Sequence, residues 1–168
     1  MERRALSAAL SAALSVVFVV AVGIGPAQAS GKMLWPVTGP ILRGFDGPDS
    51  PYSAGHRGID IGAPVGTPIH SPASGVVSFA GKVAGSLYVS IDHPNGVRST
   101  CSWLTTVTVK KGQSVDAGEV IGTTGLGHPG SVTPHLHFGT KIDGVYVDPL
   151  SLLEAMDLSE LIRLVPVA

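Results

Sequence analysis

The sequence predicts an all-β domain, a twisted antiparallel β-sandwich or partly open barrel, with a short helix at its C-terminal end. Three observations predict this fold class. The 168 residues include 22 glycines and 13 prolines, which favour many turns and short strands over long helices. Short apolar runs recur about every 8–12 residues with turn signals between them, a spacing typical of sandwiches and barrels. Leucines take up helical spacing only near the C-terminal end of the sequence.

Residues 1–29 have the pattern of a secretory signal peptide. Arg3 and Arg4 precede an apolar run from Ala5 to about Ile24, and a small-x-small site follows at residues 27–29. This pattern predicts cleavage directly after that site. The alternative is an uncleaved membrane anchor, because the run approaches the roughly 20 residues that span a bilayer. In either case we expect the domain to be secreted or held in the cell envelope, with no stable membrane insertion of the mature chain.

The β domain itself is predicted over residues 55–150, after an N-terminal strand and loop segment at residues 30–54. The latter segment is rich in Pro, Gly and Asp, and we expect one or two short strands and a surface loop there. The Asn95-Gly96 pair is a strong hairpin signal. Strands are predicted where apolar and β-branched runs lie between turn residues, at residues 59–61, 75–80, 87–91, 97–104, 107–109, 120–122, 136–138 and 145–147.

A helical tail is predicted over residues 151–168. Asp148 is placed to cap it, with Pro149 at its first position. Leucine and isoleucine recur near helical spacing from Leu150 to Leu164, so we expect an apolar face packed on the sheet. A role at a membrane surface is less favoured, because the polar side lacks the Lys and Arg enrichment of such helices.

Charge and cysteine content argue against nucleic-acid binding, a disulfide framework and a thiolate metal site. The formal net charge is -1, so no basic surface predicts binding to nucleic acid. Cys101 is the single cysteine, which excludes an internal disulfide framework and a thiolate metal cluster. We expect Cys101 to be a small buried hydrophobe, because it lies in an apolar stretch. The oligomeric state is not predictable from the sequence.

The histidines are the residues that suggest chemistry. His56 and Asp60 lie four residues apart with a glycine between them, and residues of equal parity in an extended chain face the same side. We expect Gly58 to let the backbone bend so that both side chains converge. His135 and His137 repeat the pattern at a spacing of two, with Leu136 facing the core.

Three or four such ligands in one cleft suit a zinc ion, and three protein ligands leave a position for water. Such a water has its pKa lowered to about 7 and can attack a polarised carbonyl. A histidine beside the metal could take the proton of that water. Each pair on its own also occurs by chance, so the prediction depends on their combination. His70 and His93 are explained as surface or turn residues, and His128 is expected in a solvated loop from which it could reach the cleft.

Several segments together resemble the lysostaphin-type, or LytM-like, zinc endopeptidases. Residues 56–68 (HRGIDIGAPVGTP) resemble the first metal motif of that family, and residues 134–139 (PHLHFG) resemble its last. The intervening matches are GVV at residues 75–77, IDHPNG at 91–96 and the turn motif over 112–122. The resemblance covers about residues 35–152 and is highly specific in combination.

The resemblance implies a fold, an activity and residue roles. The fold would be the duplicated hybrid motif, and the activity would be hydrolysis of peptide bonds in peptidoglycan stems or cross-bridges. By motif match, His56, Asp60 and His137 would be the zinc ligands. His135 would be the catalytic histidine that orients or deprotonates the water.

One segment departs from the family pattern. Active members carry a second catalytic histidine in a Tyr-x-His-Leu segment, and here Trp103 stands in place of that histidine and Cys101 in place of the tyrosine. An indole N–H donates a hydrogen bond but cannot shuttle a proton. The alternatives are a slow enzyme, one that uses His128 in that role, or a catalytically silent relative that binds peptidoglycan or regulates another wall hydrolase. The loop at residues 131–134 also departs, which leaves the choice of peptide open.

Overall fold

The computed structural model describes residues 32–47 and 53–153. These residues form ten strands and two short 3₁₀ helices, Pro94–Gly96 and Pro149–Ser151. No helix among them is long and apolar enough to cross a bilayer. The predicted signal peptide lies outside the described residues.

The strands are β1 (Ile41–Arg43), β2 (Ile59–Gly62), β3 (Pro68–His70), β4 (Gly75–Val83), β5 (Ser86–Asp92), β6 (Val97–Val107), β7 (Ser114–Val115), β8 (Val120–Thr124), β9 (His135–Ile142) and β10 (Val145–Val147).

All strand pairs are antiparallel and join one open sheet in the order β1-β2-β9-β6-β5-β4-β7. Strand β10 pairs with β9, and β8 pairs with both β3 and β6. The predicted all-β, antiparallel and unclosed architecture is therefore confirmed. Strands β4 and β5 form a hairpin, and β5 is connected to β6 through the predicted Asn-Gly turn, which takes the form of the first 3₁₀ helix.

The core lies where alternate side chains of these strands point to one side. In β2 and β9, Ile59 is paired with Phe138 and Ile61 with Leu136, and all four side chains are fully buried. Cys101 joins the same core and is buried, as expected. Side chains alternate between the two faces of a strand, so Asp60 and His137 lie on the face of β2 and β9 opposite to these four core residues. Core packing therefore fixes the orientation of two predicted ligands.

The long strand β6 changes neighbour at Trp103. Its first part pairs with β9 and its last part with β8. In the pairing with β5, Tyr88 faces Ser102 and Leu87 faces Leu104, so Trp103 is an extra residue. Its φ of 66° is left-handed, a backbone conformation that costs a bulky residue energy. The bulge turns the Trp103 side chain towards the predicted cleft.

Several boundaries differ from the prediction. Strands β3 and β7 were not predicted, because two or three residues are too few to show an alternation. A strand was predicted at residues 107–109, but β6 ends at Val107, so residues 108 and 109 lie outside it. Asp148 does cap a helical turn, with its side chain accepting from the Leu150 N–H and Pro149 at the first position.

The described part of the predicted helical tail is not an α-helix. Ser151 is the last residue of the second 3₁₀ helix, Leu152 caps it, and Leu153 forms a parallel bridge with Met33. Leu153 is buried in the core, so it packs as expected although its backbone does not continue the helix. Residues 154–168 lie outside the described part.

Candidate metal centre

Three predicted ligands converge at the junction of β2 and β9. Asp60 and His137 are paired directly across these strands, and Asp60 Oδ1 lies 2.9 Å from His137 Nδ1. His56 precedes β2 and brings its Nε2 to 3.1 Å from Asp60 Oδ1 and 3.1 Å from His137 Nδ1. His56 and Asp60 are buried, whereas His137 is half-buried at the edge of a groove. The ligand atoms thus face one point that is accessible from one side.

The donor set fits a zinc ion. Zn–N and Zn–O bonds of roughly 2.0–2.1 Å in a tetrahedron place ligand atoms about 3.3 Å apart, close to the separations found here. His56 Nδ1 lies 2.7 Å from Gly44 O, and since a carbonyl only accepts, Nδ1 carries the proton. Nε2 of His56 therefore presents a lone pair to the carboxylate of Asp60. A bound cation would remove the repulsion between the lone pair of His56 Nε2 and the carboxylate of Asp60. The carbonyl of Gly44 orients the His56 ring, as the hydrogen-bond partners of zinc-binding histidines commonly do.

The carboxyl group of Asp60 is held in its ionised form. Burial by itself raises the pKa of Asp60, but the hydrogen bond with His137 and the positive charge that the rings of His56, His137 and His135 carry when they are protonated outweigh it. The net result is a pKa of about 2. A charged, buried carboxylate surrounded by imidazoles is the arrangement expected of a metal ligand rather than of a core residue.

Two further histidines contact the same carboxylate. His128 Nε2 lies 3.3 Å from Asp60 Oδ2, and His135 Nε2 lies 3.8 Å from Asp60 Oδ1. Asp60, His128 and His135 form a second set of atoms with metal-ligand spacing. His128 lines the groove, which agrees with the expectation that its loop could bring it to the cleft.

His135 is enclosed behind this loop. Its side chain is 2 % exposed, and the N–H of His128 donates to its Nε2 at 3.4 Å. Its Nδ1 donates to Thr133 O at 2.9 Å, which leaves Nε2 as an acceptor. A Cβ at Gly127 would overlap the His135 ring, so the loop packs directly on it. Contact between a substrate and His135 Nε2 requires the loop to move.

Gly58 has a different role from the one predicted. A Cβ at this position would overlap Phe138 O and lie 2.9 Å from His137 Nε2. Its φ is not among the left-handed ones. The glycine is therefore needed for close approach of β9, which brings His137 to Asp60, and not for a bend in the chain.

A groove of about 550 Å³ begins at the ligands and runs over the sheet. Trp103 lies beside it with its ring 5.8 Å from that of Tyr88, so the residue in place of the expected histidine does face the site. The polar groove residues away from the predicted metal ligands belong to no motif that is recognisable in the sequence. For those on β6 and β9 the signal is an equal parity with Ser102 and His137, which becomes visible once the strand register is known. These groove residues are Arg57, Ser90, Arg98, Thr100, Lys141 and Tyr146.

Comparisons with known proteins assign the chain to a family. Residues 54–149 match the sequence model of Peptidase family M23. An uncharacterized protein of Mycobacterium tuberculosis, Rv2891, is 38% identical over 141 residues, which are 79% of this chain and 56% of that protein. The peptidoglycan DD-endopeptidase ShyC of Vibrio cholerae is 39% identical over 121 residues, 70% of this chain and 24% of its own length.

The fold is also similar to that of lysostaphin from Staphylococcus simulans. The TM-score is 0.62 at 27% identity, covering 73% of this chain and 54% of lysostaphin. The chain spans about half the length of Rv2891 and a quarter of ShyC. The resemblance to lysostaphin-type endopeptidases is thus confirmed, and the chain belongs to Peptidase family M23.

Proposed function

We propose that this chain is a zinc-dependent endopeptidase that hydrolyses peptide bonds in the stems or cross-bridges of bacterial peptidoglycan, in the cell envelope. The observation that carries the proposal is the convergence of His56, Asp60 and His137 at one end of a groove. The relative ShyC is named a peptidoglycan DD-endopeptidase, and this similarity supports peptidoglycan as the substrate.

The residues have distinct parts in the proposed reaction. His56, Asp60 and His137 would hold zinc, which supplies a Lewis acid for the peptide carbonyl and lowers the pKa of water. Once the loop that carries His128 moves aside, His135 would orient or deprotonate the water, since its Nδ1 proton is fixed on Thr133 O and its Nε2 can accept. His128 borders the groove, and its Nε2 contacts Oδ2 of Asp60 and so holds that carboxylate in its orientation.

Trp103 supports a second candidate function. It occupies the bulge of β6 beside the groove, where its indole can donate a hydrogen bond but cannot exchange a proton. A positioned proton-transfer group typically contributes about 10²–10⁴-fold to the rate, and Trp103 does not supply one. The second candidate is a zinc-bearing relative without turnover that binds peptidoglycan or regulates another wall hydrolase.

One experiment separates the two functions. Zinc-loaded protein is incubated with purified peptidoglycan, and new free amines are measured together with the masses of released fragments. Release by the wild type, and its loss in His137→Ala, supports the endopeptidase. No release by the wild type but release by Trp103→His establishes the silent relative. If neither the wild type nor Trp103→His releases amines, and neither sediments with peptidoglycan, the endopeptidase and the peptidoglycan-binding relative are both wrong.

A further inference from the structure

Asp60 belongs to two sets of side chains with metal-ligand spacing, and these sets share no other residue. The first set is the candidate zinc site, in which Asp60 meets His56 and His137. In the second set Asp60 meets His128 and His135. The ligand atoms of each set lie within 4.8 Å of one another, and no set of this spacing found among the described residues combines all five side chains. The two sets therefore surround two different points that have one carboxylate in common.

The oxygens of Asp60 are divided between these points. Oδ1 lies 2.9 Å from His137 Nδ1 and 3.1 Å from His56 Nε2. Oδ2 lies 3.3 Å from His128 Nε2. A carboxylate that presents one oxygen to each of two points can bridge two cations, which in two-metal sites lie roughly 3.5–4 Å apart.

His135 presents a weakly used acceptor to the second point. Its Nδ1 proton is fixed on Thr133 O, so its Nε2 carries a lone pair. The hydrogen bond from the N–H of His128 to this lone pair is long, at 3.4 Å, and the same Nε2 lies 3.8 Å from Asp60 Oδ1. The side chains of His135 and Asp60 are only 2 % and 4 % exposed, so two acceptors face each other in a buried site. A cation between them would remove their repulsion.

His128 completes the second set from the side of the groove. Its side chain is 34% exposed and lines the groove, so an ion can reach its Nε2 from solvent. Its Nδ1 lies 3.4 Å from Pro129 O, a carbonyl that can accept the Nδ1 proton when Nε2 binds a metal. Zinc-binding histidines commonly donate their second N–H to a carbonyl, as His135 does to Thr133 O.

An ion at the second point would hold the loop between β8 and β9 in its closed position. His128 lies on this loop, between Gly127 and Gly130, whose φ angles of 89° and 86° are left-handed. The loop packs on the His135 ring at Gly127, so it must move before a substrate can contact His135. An ion bound both by the loop residue His128 and by the strand residues Asp60 and His135 opposes that movement.

We propose that Asp60, His128 and His135 form a second divalent-metal site, which zinc in excess fills and which keeps the loop closed over His135. Imidazole and carboxylate donors suit zinc here as they do at the first site. The inference goes beyond the proposed function, although the two sites share Asp60. The second ion binds more weakly than the first, because one carboxylate serves both ions and the two cations repel each other. Purified protein therefore keeps one ion, and the second binds only at higher zinc concentrations.

The test counts bound ions and identifies the side chains that hold them. The full chain is dialysed to equilibrium over a series of free zinc concentrations and then subjected to elemental analysis. We expect one plateau at about one zinc ion per chain and a second at about two, since three protein ligands suffice for each ion. In magnetic resonance spectra of protein with isotope-labelled histidine, the first ion should shift the ring nitrogens of His56 and His137. The second ion should shift those of His128 and His135 and should slow amide exchange at residues 127–130.

His128→Gln separates the two sites. The glutamine amide can donate to Asp60 Oδ2 but is a poor ligand for zinc, so this variant should keep the first ion and lose the second. His70→Gln is the matched control and should take up both ions, because His70 lies outside both sets with its Nδ1 on Gly118 O.

The outcomes distinguish this inference from the proposed function. A single plateau that shifts only His56 and His137 overturns the second site and leaves the proposed function intact. Uptake of the second ion by His128→Gln also overturns the second site, since that ion then binds elsewhere. Absence of any bound zinc overturns both. If the second ion shifts His128 and His135 but does not slow amide exchange in the loop, the loop is not held closed and that part of the proposal is wrong.

Discussion

The two carboxylate oxygens of Asp60 have different partners: Oδ1 lies 2.9 Å from Nδ1 of His137, and Oδ2 lies 3.3 Å from Nε2 of His128. One oxygen therefore belongs to the candidate zinc site, and the other is held by a loop residue at the groove. This arrangement links the orientation of a candidate ligand to the position of the loop at residues 125–134.

The first prediction concerns His128. His128→Ala should weaken zinc binding about ten-fold, because loss of an outer-shell partner of a ligand typically costs 10–100-fold in metal affinity. Competition with a chelating dye measures the affinity. Val132→Ala, a 99% exposed residue of the same loop, is the matched control and should keep the wild-type value. An unchanged affinity in His128→Ala would show that Asp60 needs no such support.

The second prediction concerns the zinc content. Purified protein should hold close to one zinc per chain, and His137→Ala should lose it, because two ligands retain zinc poorly. Elemental analysis measures the metal. Addition of a chelator should lower the Tm of the wild type, since zinc binds the folded state. His70 lies outside the site, where its Nδ1 donates a hydrogen bond to Gly118 O, so His70→Ala should retain the ion. A metal-free wild type after exposure to zinc would contradict the site.

The third prediction concerns Gly58. Gly58→Ala should reduce the free energy of unfolding by about 1–3 kcal/mol, the usual cost of overpacking, because the added Cβ overlaps Phe138 O. It should also weaken zinc binding by displacing β9. Urea unfolding measures the stability. Gly81→Ala is the control, since its Cβ would meet nothing nearer than Phe79 Cζ at 3.5 Å. Equal stability of the two variants would refute the close approach.

The fourth prediction concerns the buried His93, whose Nε2 accepts from Ser99 Oγ at 2.7 Å. Burial lowers the pKa of His93 below its ordinary 6.5, although Ser74 O and Asp92 partly oppose this. The unfolded chain then binds the proton more readily, so the stability contributed by neutral His93 is present above pH 6.5 and is lost as the pH falls through the folded-state pKa.

Unfolding of zinc-saturated protein at a series of pH values tests this. His93→Gln should be less stable near neutral pH but should lose less stability on acidification than the wild type. His70→Gln serves as a second histidine variant and should follow the wild-type curve. Parallel curves for His93→Gln and the wild type would exclude a contribution from His93.

The fifth prediction concerns Cys101. Burial raises the pKa of its thiol to about 12, and only the thiolate is nucleophilic. The native protein should therefore not react with a thiol reagent, whereas the protein in denaturant should consume one equivalent. With a reagent that releases a chromophore on reaction with a thiol, absorbance measures the labelling of the native and of the denatured protein. Rapid labelling of the native protein would mean that the strand around Cys101 opens readily.

The sequence alone determined the fold class and predicted that His56, Asp60 and His137 would converge. Both depend on local patterns: the alternation of apolar residues defines the strands, and the spacings of His56 to Asp60 and of His135 to His137 place ligands on chosen faces. The Asn95-Gly96 turn is likewise a short-range signal. The signal peptide and the domain limits at residues 30–54, 55–150 and 151–168 stay predictions.

Only the tertiary structure decided which residues meet across strands and loops. The register of β6 against β9 aligns Arg98 with Lys141, and that of β9 against β10 aligns Lys141 with Tyr146. These positions are far apart in sequence, and a shift of one residue would turn each side chain to the other face. The closed loop that brings His128 to Asp60 and encloses His135 depends likewise on packing between distant segments, which no local pattern specifies.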